Sequence, residues 1–133
     1  MTIQAETLLA HRFPELRQSY SERDAILYAL GVGLGADPLD ERDLDYLIET
    51  RLKVLPSFAA TLASPGMWIR DPQFGVDFKK LVVSSQDAEF HAPLPPAADV
   101  KATPRVASLY DRGEGKGALL TVEREVRDAA DET

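Results

Sequence analysis

One stretch near the N-terminus, Ser21-Glu-Arg-Asp-Ala-Ile-Leu-Tyr-Ala-Leu-Gly-Val-Gly-Leu-Gly35, restricts the fold more than any other. Ser21 is a good helix N-cap, and Asp24 three residues on supplies the return partner of a capping box. Ala25, Ile26, Leu27, Ala29 and Leu30 then crowd the helix with apolar side chains, too densely for a surface helix with one greasy stripe. The expectation is a largely buried helix. Gly31, Gly33 and Gly35 end it, because glycine takes a positive φ without a Cβ clash. Asp37-Pro38 makes a turn, and Asp40 is placed to cap a second short helix over Glu41 to Ile48. Pro56 suits the first turn of a third helix, Ser57 to Ala63, with a strand over Phe58 to Leu62 as the competing assignment.

The second half of the chain is of another kind. Leu81-Val-Val83 opens a strand expected to run to Phe90. Apolar alternation returns at Val100, Ala102 and Val106, and again at Leu120, Val122 and Val126. Pro93, Pro95 and Pro96 break the first strand from the second, and Asp111-Arg-Gly-Glu-Gly-Lys-Gly117 is a strong turn signal between the second and third. Helices followed by antiparallel strands describe an α+β fold. The expected organisation is a single domain over 1–133, with an N-terminal segment at 1–20, a helical part at 21–64 and antiparallel strands at 78–128. A polar tail, Asp128-Ala-Ala-Asp-Glu-Thr133, follows the last strand where a hairpin turn would begin. Either an unpaired sheet edge covered from outside the chain or a short frayed tail after a complete sheet is expected there.

Composition narrows the class. The 133 residues suffice for one core, and 44% hydrophobic with 28% charged residues is ordinary globular usage. No apolar run approaches the roughly 20 residues that span a bilayer, so no membrane partner is expected. The first ten residues lack a basic leader and carry Glu6, unlike a secretory signal. With no cysteine, disulfides, thiolate metal sites and cysteine nucleophiles are excluded, and a cytoplasmic protein is expected. A net charge of -7 argues against nucleic acid as a partner.

Few residues invite chemistry. Asp87, Glu89 and His91 fall within five residues, but on a strand they share one face, the pattern of a solvated surface. Metal sites need three or four converging ligands, and no second cluster completes this one, so no metal is expected. His11, beside Arg12 and Phe13, reads as a packing or surface residue. No Gly-x-Ser-x-Gly elbow occurs, Gly113 to Gly117 is not a phosphate-binding P-loop, and Gly31-Val-Gly33 lacks the preceding strand of a dinucleotide fingerprint. No cofactor is expected. Met67 and Trp68, the sole tryptophan, are candidates for a pocket wall or a core anchor.

Tyr28-Ala-Leu-Gly-Val-Gly33, Asp43-Leu-Asp-Tyr-Leu47 and Val54-Leu-Pro-Ser-Phe58 together resemble, in order and spacing, the N-terminal half of the (R)-specific enoyl-CoA hydratase 2 branch of the MaoC-like dehydratases. Ala92-Pro-Leu-Pro95, Asp111 to Ala118 and Glu123 extend the resemblance from about Tyr20 to Asp128. It implies a hot-dog fold, a curved antiparallel sheet wrapped around a helix, incomplete in this chain alone. It also implies a lyase of fatty-acid type, adding water to a trans-2-enoyl thioester. In that family an Asp-x-Asn-Pro-x-His motif of the second half activates the water. This chain has no asparagine, and no aspartate stands five residues before either histidine. Where the family keeps His-Gly-Glu-Gln, the chain has Val83-Ser-Ser-Gln86.

The resemblance therefore implies no catalytic residue here, with Phe58, Met67, Trp68 and Gln86 as substrate-binding candidates near the acyl chain. Its implied partners are an acyl-CoA thioester and a catalytic hot-dog half or subunit, in a homo- or hetero-oligomer. A stand-alone acyl-thioester-binding module, or a thioesterase, is the competing reading. Coenzyme A is a polyanion and the chain is acidic, so a local basic pair is needed. Arg51 with Lys53, Lys79 with Lys80, and Arg112 with Lys116 are the pairs available, since salt confines distant charges to a reach of about 10 Å.

Overall fold

Ser21 and Asp24 form the expected box in the computed structural model, which describes residues 2–131. The Ser21 N–H donates to Asp24 Oδ2 at 2.8 Å, and the Asp24 N–H donates back to Ser21 Oγ at 3.4 Å. Helices α1 (Ala5–Ala10) and α2 (Glu22–Gly31) are the two α-helices; strands β1 (Leu16–Tyr20), β2 (Ala98–Ala102), β3 (Arg105–Asp111), β4 (Ala118–Glu123) and β5 (Arg127–Asp128) complete the regular elements, with six short 3₁₀ turns between α2 and β2. The chain divides into two compact units.

The first unit takes residues up to Leu16, then Ser64–Gln86 and Ala102–Glu125. Strands β3 and β4 pair antiparallel from Arg105↔Glu123 to Asp111↔Ala118, with a bulge between Val106 and Ser108. The glycine-rich turn closes this hairpin as expected. Gly113, Gly115 and Gly117 all take positive φ, and Arg112 N–H reaches the Gly117 carbonyl at 3.0 Å. Leu8 of α1, Ile69 and Phe74 are the buried centre, with Trp68, Val76, Leu109 and Leu120 packed against them. The N-terminal segment is tied down by Gln4 N–H to Phe74 O at 2.9 Å. Gly75 (φ 66°) permits this: a Cβ there would meet the Thr2 carbonyl oxygen at 2.0 Å.

The second unit takes Arg17–Ala63, Asp87–Lys101 and the residues from Val126 on. Its sheet runs β1-β2-β5, and β5 pairs antiparallel with β2 through Val100↔Asp128 and Lys101↔Arg127. Helix α2 packs there through Ala25 and the half-buried Ile26 and Tyr28, against a core of Tyr20, Leu52, Val54, Phe58, Leu62 and Val100. The Tyr20 hydroxyl donates to the Pro95 carbonyl at 2.6 Å, and the Tyr28 hydroxyl to Ser57 Oγ at 2.8 Å. These bonds let two tyrosines enter the core with their polar ends satisfied.

Five expectations change. Helix α2 is buried on one face only, since Leu27, Leu30 and the following Val32 are exposed. The helix over Glu41 to Ile48 contracts to a 3₁₀ turn at Asp43–Tyr46, with Asp40 Oδ1 accepting from Arg42 N–H at 3.0 Å in a tight local turn. The Pro56 helix forms as a 3₁₀ helix, Pro56–Thr61. Residues 81–90 form no strand, and Val82 and Val83 are exposed. β-branched side chains favour a strand only where a neighbour supplies pairing and burial. The expected run through Val100, Ala102 and Val106 is cut at Pro104, which separates β2 from β3. Of the expected polar tail, Glu132 and Thr133 lie outside the described residues; β5 is an outer strand of its sheet.

Candidate functional site

Trp68 opens a 3₁₀ turn, Trp68–Arg70, in the first unit, and its indole is held by rings from distant sequence. His11 stacks on it with centroids 5.6 Å apart and planes 3° apart. Phe13 and Phe74 meet Trp68 edge-on at 4.8 and 5.2 Å, and both also contact His11 edge-on. Such edge-to-face and stacked geometries are each worth about 0.5–1.5 kcal/mol beyond area burial. His11 is thus a packing residue. Met67, next to Trp68, is exposed, as is Gln86 in the same unit.

Phe58 belongs to the second unit, 4% exposed in its core, with Tyr20 and Tyr28 each at 5.2 Å. The structure thus gathers the Trp68 rings in one unit and packs Phe58 in the core of the other.

A cavity of about 490 Å³ belongs to the first unit and is lined by Glu6, Thr7, Ala10, His11, Arg12 and Gln73. It lies open to solvent, unlike the closed apolar pocket that buries an acyl chain. Asp87, Glu89 and His91 lie in an irregular exposed segment rather than on a strand. His91 Nδ1 is 4.0 Å from Glu89 Oε1, with side chains 71% and 84% exposed, so the contact is a screened surface pair. Among the described residues no group of three or more ligating side chains could hold a metal ion.

Electrostatic perturbation falls on structural groups. Burial, with the negative charge of Asp128, raises the Tyr20 phenol above its ordinary value. Hydrogen bonds from Ser21 lower the Asp24 carboxyl, and those from Arg42 lower Asp40. Burial depresses the Arg124 guanidinium. Among the described residues these shifts do not pair an acid with a base in one cleft, the pattern that marks proton-transfer chemistry.

One arrangement has no sequence-local signal. The Arg70 guanidinium carbon stands 4.3 Å from the centroid of the Phe78 ring, beside Lys79 and Lys80. Arg70 and Phe78 sit on different turns, so neither periodicity nor capping announces their contact.

The family model of the MFE-2 hydratase 2 N-terminal domain matches residues 18–133. The chain belongs to that family. Among its relatives, an enoyl-CoA hydratase of Mycobacterium tuberculosis is 34% identical over 128 residues, covering 92% of this chain and 44% of the relative. A peroxisomal enoyl-CoA hydratase 2 of Arabidopsis thaliana is 36% identical over 126 residues, covering 90% and 40%. The crystal structure of a MaoC-like dehydratase from Phytophthora capsici superposes with a TM-score of 0.60 at 20% identity, covering 93% of this chain and 43% of that one. The fold is therefore the hot-dog α+β fold of that structure. This hydratase 2 N-terminal domain spans less than half the length of each of these relatives. No helix among the described residues is long and apolar enough to cross a membrane.

Proposed function

We propose that the chain is the non-catalytic hot-dog half of an (R)-specific 2-enoyl-CoA hydratase, working as one domain beside a catalytic half that supplies the water-activating aspartate and histidine. The observation that carries this reading is a conjunction. Membership of the hydratase 2 N-terminal family covers residues 18–133, in a sequence with no asparagine and therefore no Asp-x-Asn-Pro-x-His motif. Met67, Trp68 and Gln86 are the side chains we assign to face the acyl thioester, with Phe58 stiffening the second unit's core behind its own wall. The acyl-CoA substrate, the partner half and a cytoplasmic setting belong to the same proposal.

The test is reconstitution. The chain alone should not hydrate crotonyl-CoA, and mixing it with a separately expressed catalytic half should produce hydration to the (3R)-hydroxyacyl thioester. Turnover by the chain alone, or a stable but inactive complex with a competent partner half, would refute the proposal.

A further inference from the structure

We propose that Arg70, Lys79 and Lys80 form the docking patch for the phosphates of coenzyme A, an inference that rests on the acyl-CoA reading above and names its polar end. The chain carries a net charge of -7, so a polyanionic ligand needs a place where cations are not cancelled locally. Three basic pairs were available, and the structure separates them.

Arg51 and Lys53 both turn to Asp45, at 3.2 and 3.6 Å, and are spent on that carboxylate. Arg112 and Lys116 sit in the β3–β4 turn with Asp111 and Glu114, a balanced set of charges. The third pair differs. Lys79 and Lys80 lie on the 3₁₀ turn Phe78–Lys80, and Arg70 joins them by stacking over Phe78 at 4.3 Å. All three cations are exposed. Two carboxylates are nearby in sequence, and both are engaged with local turns. Asp71 accepts from the Gln73 backbone N–H and side-chain amide, each at 3.1 Å, and Asp77 accepts from the Lys79 backbone N–H at 3.2 Å. The three cations outnumber them.

The geometry suits phosphate. Lying over the Phe78 ring, the guanidinium is held by its face, and its planar fork of N–H donors suits an oxyanion. Two adjacent lysines add mobile point charges on the same unit, fitted to a ligand with both a pyrophosphate and a ribose phosphate.

The experiment titrates the full chain with 3′-phospho-ADP, the nucleotide end of coenzyme A, at moderate ionic strength. Three proteins are compared: the parent, Lys79→Ala/Lys80→Ala, and the charge-matched control Arg112→Ala/Lys116→Ala. The lysine variant should bind about tenfold more weakly, a loss of about 1.4 kcal/mol, and the control within twofold. Arg70→Ala should weaken binding similarly. Equal weakening in both double variants would reduce the effect to net charge and overturn the patch, as would no binding by the parent. A parallel titration with an acyl-N-acetylcysteamine thioester, which carries no phosphate, isolates the underlying reading. Binding of that thioester unaffected by Lys79→Ala/Lys80→Ala supports both claims. Loss of the lysine effect with thioester binding intact sinks only the patch, and a parent that binds nucleotide but no acyl thioester sinks the acyl-CoA reading that the assignment depends on.

Discussion

Replacing Phe58 by alanine separates a core role from a tunnel role. The ring is 4% exposed and meets Tyr20 and Tyr28 at 5.2 Å each. Phenylalanine-to-alanine changes in cores cost about 3–5 kcal/mol. Two aromatic contacts, each worth about 0.5–1.5 kcal/mol, push the value up. The 3₁₀ segment Pro56–Thr61 that carries the ring is short and closes partly on the void, which pushes it down. A loss near 4 kcal/mol is the balance. Unfolding entropy of about 2.1 cal/mol/K per residue gives about 0.28 kcal/mol/K for 133 residues, so the midpoint should fall by about 14 °C. Urea unfolding followed by far-ultraviolet circular dichroism measures the loss, with Met67→Ala as the exposed comparison, expected within about 0.5 kcal/mol. A cost under about 1 kcal/mol at Phe58, accompanied by weakened acyl-thioester binding, would show the ring lining a cavity and refute the core assignment.

The remaining expectations concern local devices. Ser21→Ala removes one arm of the capping box and should cost about 1 kcal/mol by the same unfolding assay, with Ser21→Asp recovering most of it. Because hydrogen bonding lowers the Asp24 carboxyl in the folded chain, its contribution is present above the unfolded value of 3.8 and is lost as pH falls through the folded value. The acid limb of the stability curve should therefore flatten in Asp24→Asn. Tyr20 shifts the opposite way: its folded phenol is raised, so its contribution holds below the unfolded value of 10.0 and disappears as pH rises through the folded one. Tyr20→Phe should reduce the alkaline loss, and at neutral pH should cost about 0.5–1 kcal/mol, because water can reach the exposed Pro95 carbonyl it leaves. Gly75→Ala should release the N-terminal segment, seen as lost hydrogen-exchange protection at the Gln4 and Leu8 amides, since its Cβ would overlap the Thr2 carbonyl.

What the sequence disclosed sorts by the range of the interaction responsible. The Ser21–Asp24 box and the Asp111–Gly117 turn were legible because every atom involved lies within a few residues. The α+β class and the hot-dog fold were legible from the order of elements and from the quoted motifs, and the family match supports the same fold. Strand β1 was not, because Leu16–Tyr20 carries little alternation and owes its state to hydrogen bonds with β2, far away in the chain. The same holds for the candidate site. Trp68 stood out by its singularity, but the rings that fix it, His11 and Phe13, come from a segment with no periodic signal. Arg70 over Phe78 is a contact between turns and leaves no trace in spacing.

The two misread apolar stretches make one physical point. Leu27 and Leu30, expected inside a largely buried α2, and Val82 with Val83, expected on a strand, are all exposed, as is Val32 just after α2. Hydrophobic density reports burial in the working state, whereas the isolated chain buries only what its own elements can cover. A lone isoleucine or leucine at a surface is unremarkable. Two on one helix, plus a β-branched pair without a strand neighbour, are a cost that burial at roughly 25 cal/mol per Å² would remove. Under the function proposed above, a catalytic half is the natural agent of that burial. On that proposal the sequence pattern and the structure disagree for one reason: the pattern suits the chain covered by a partner half, and the structure shows the chain by itself.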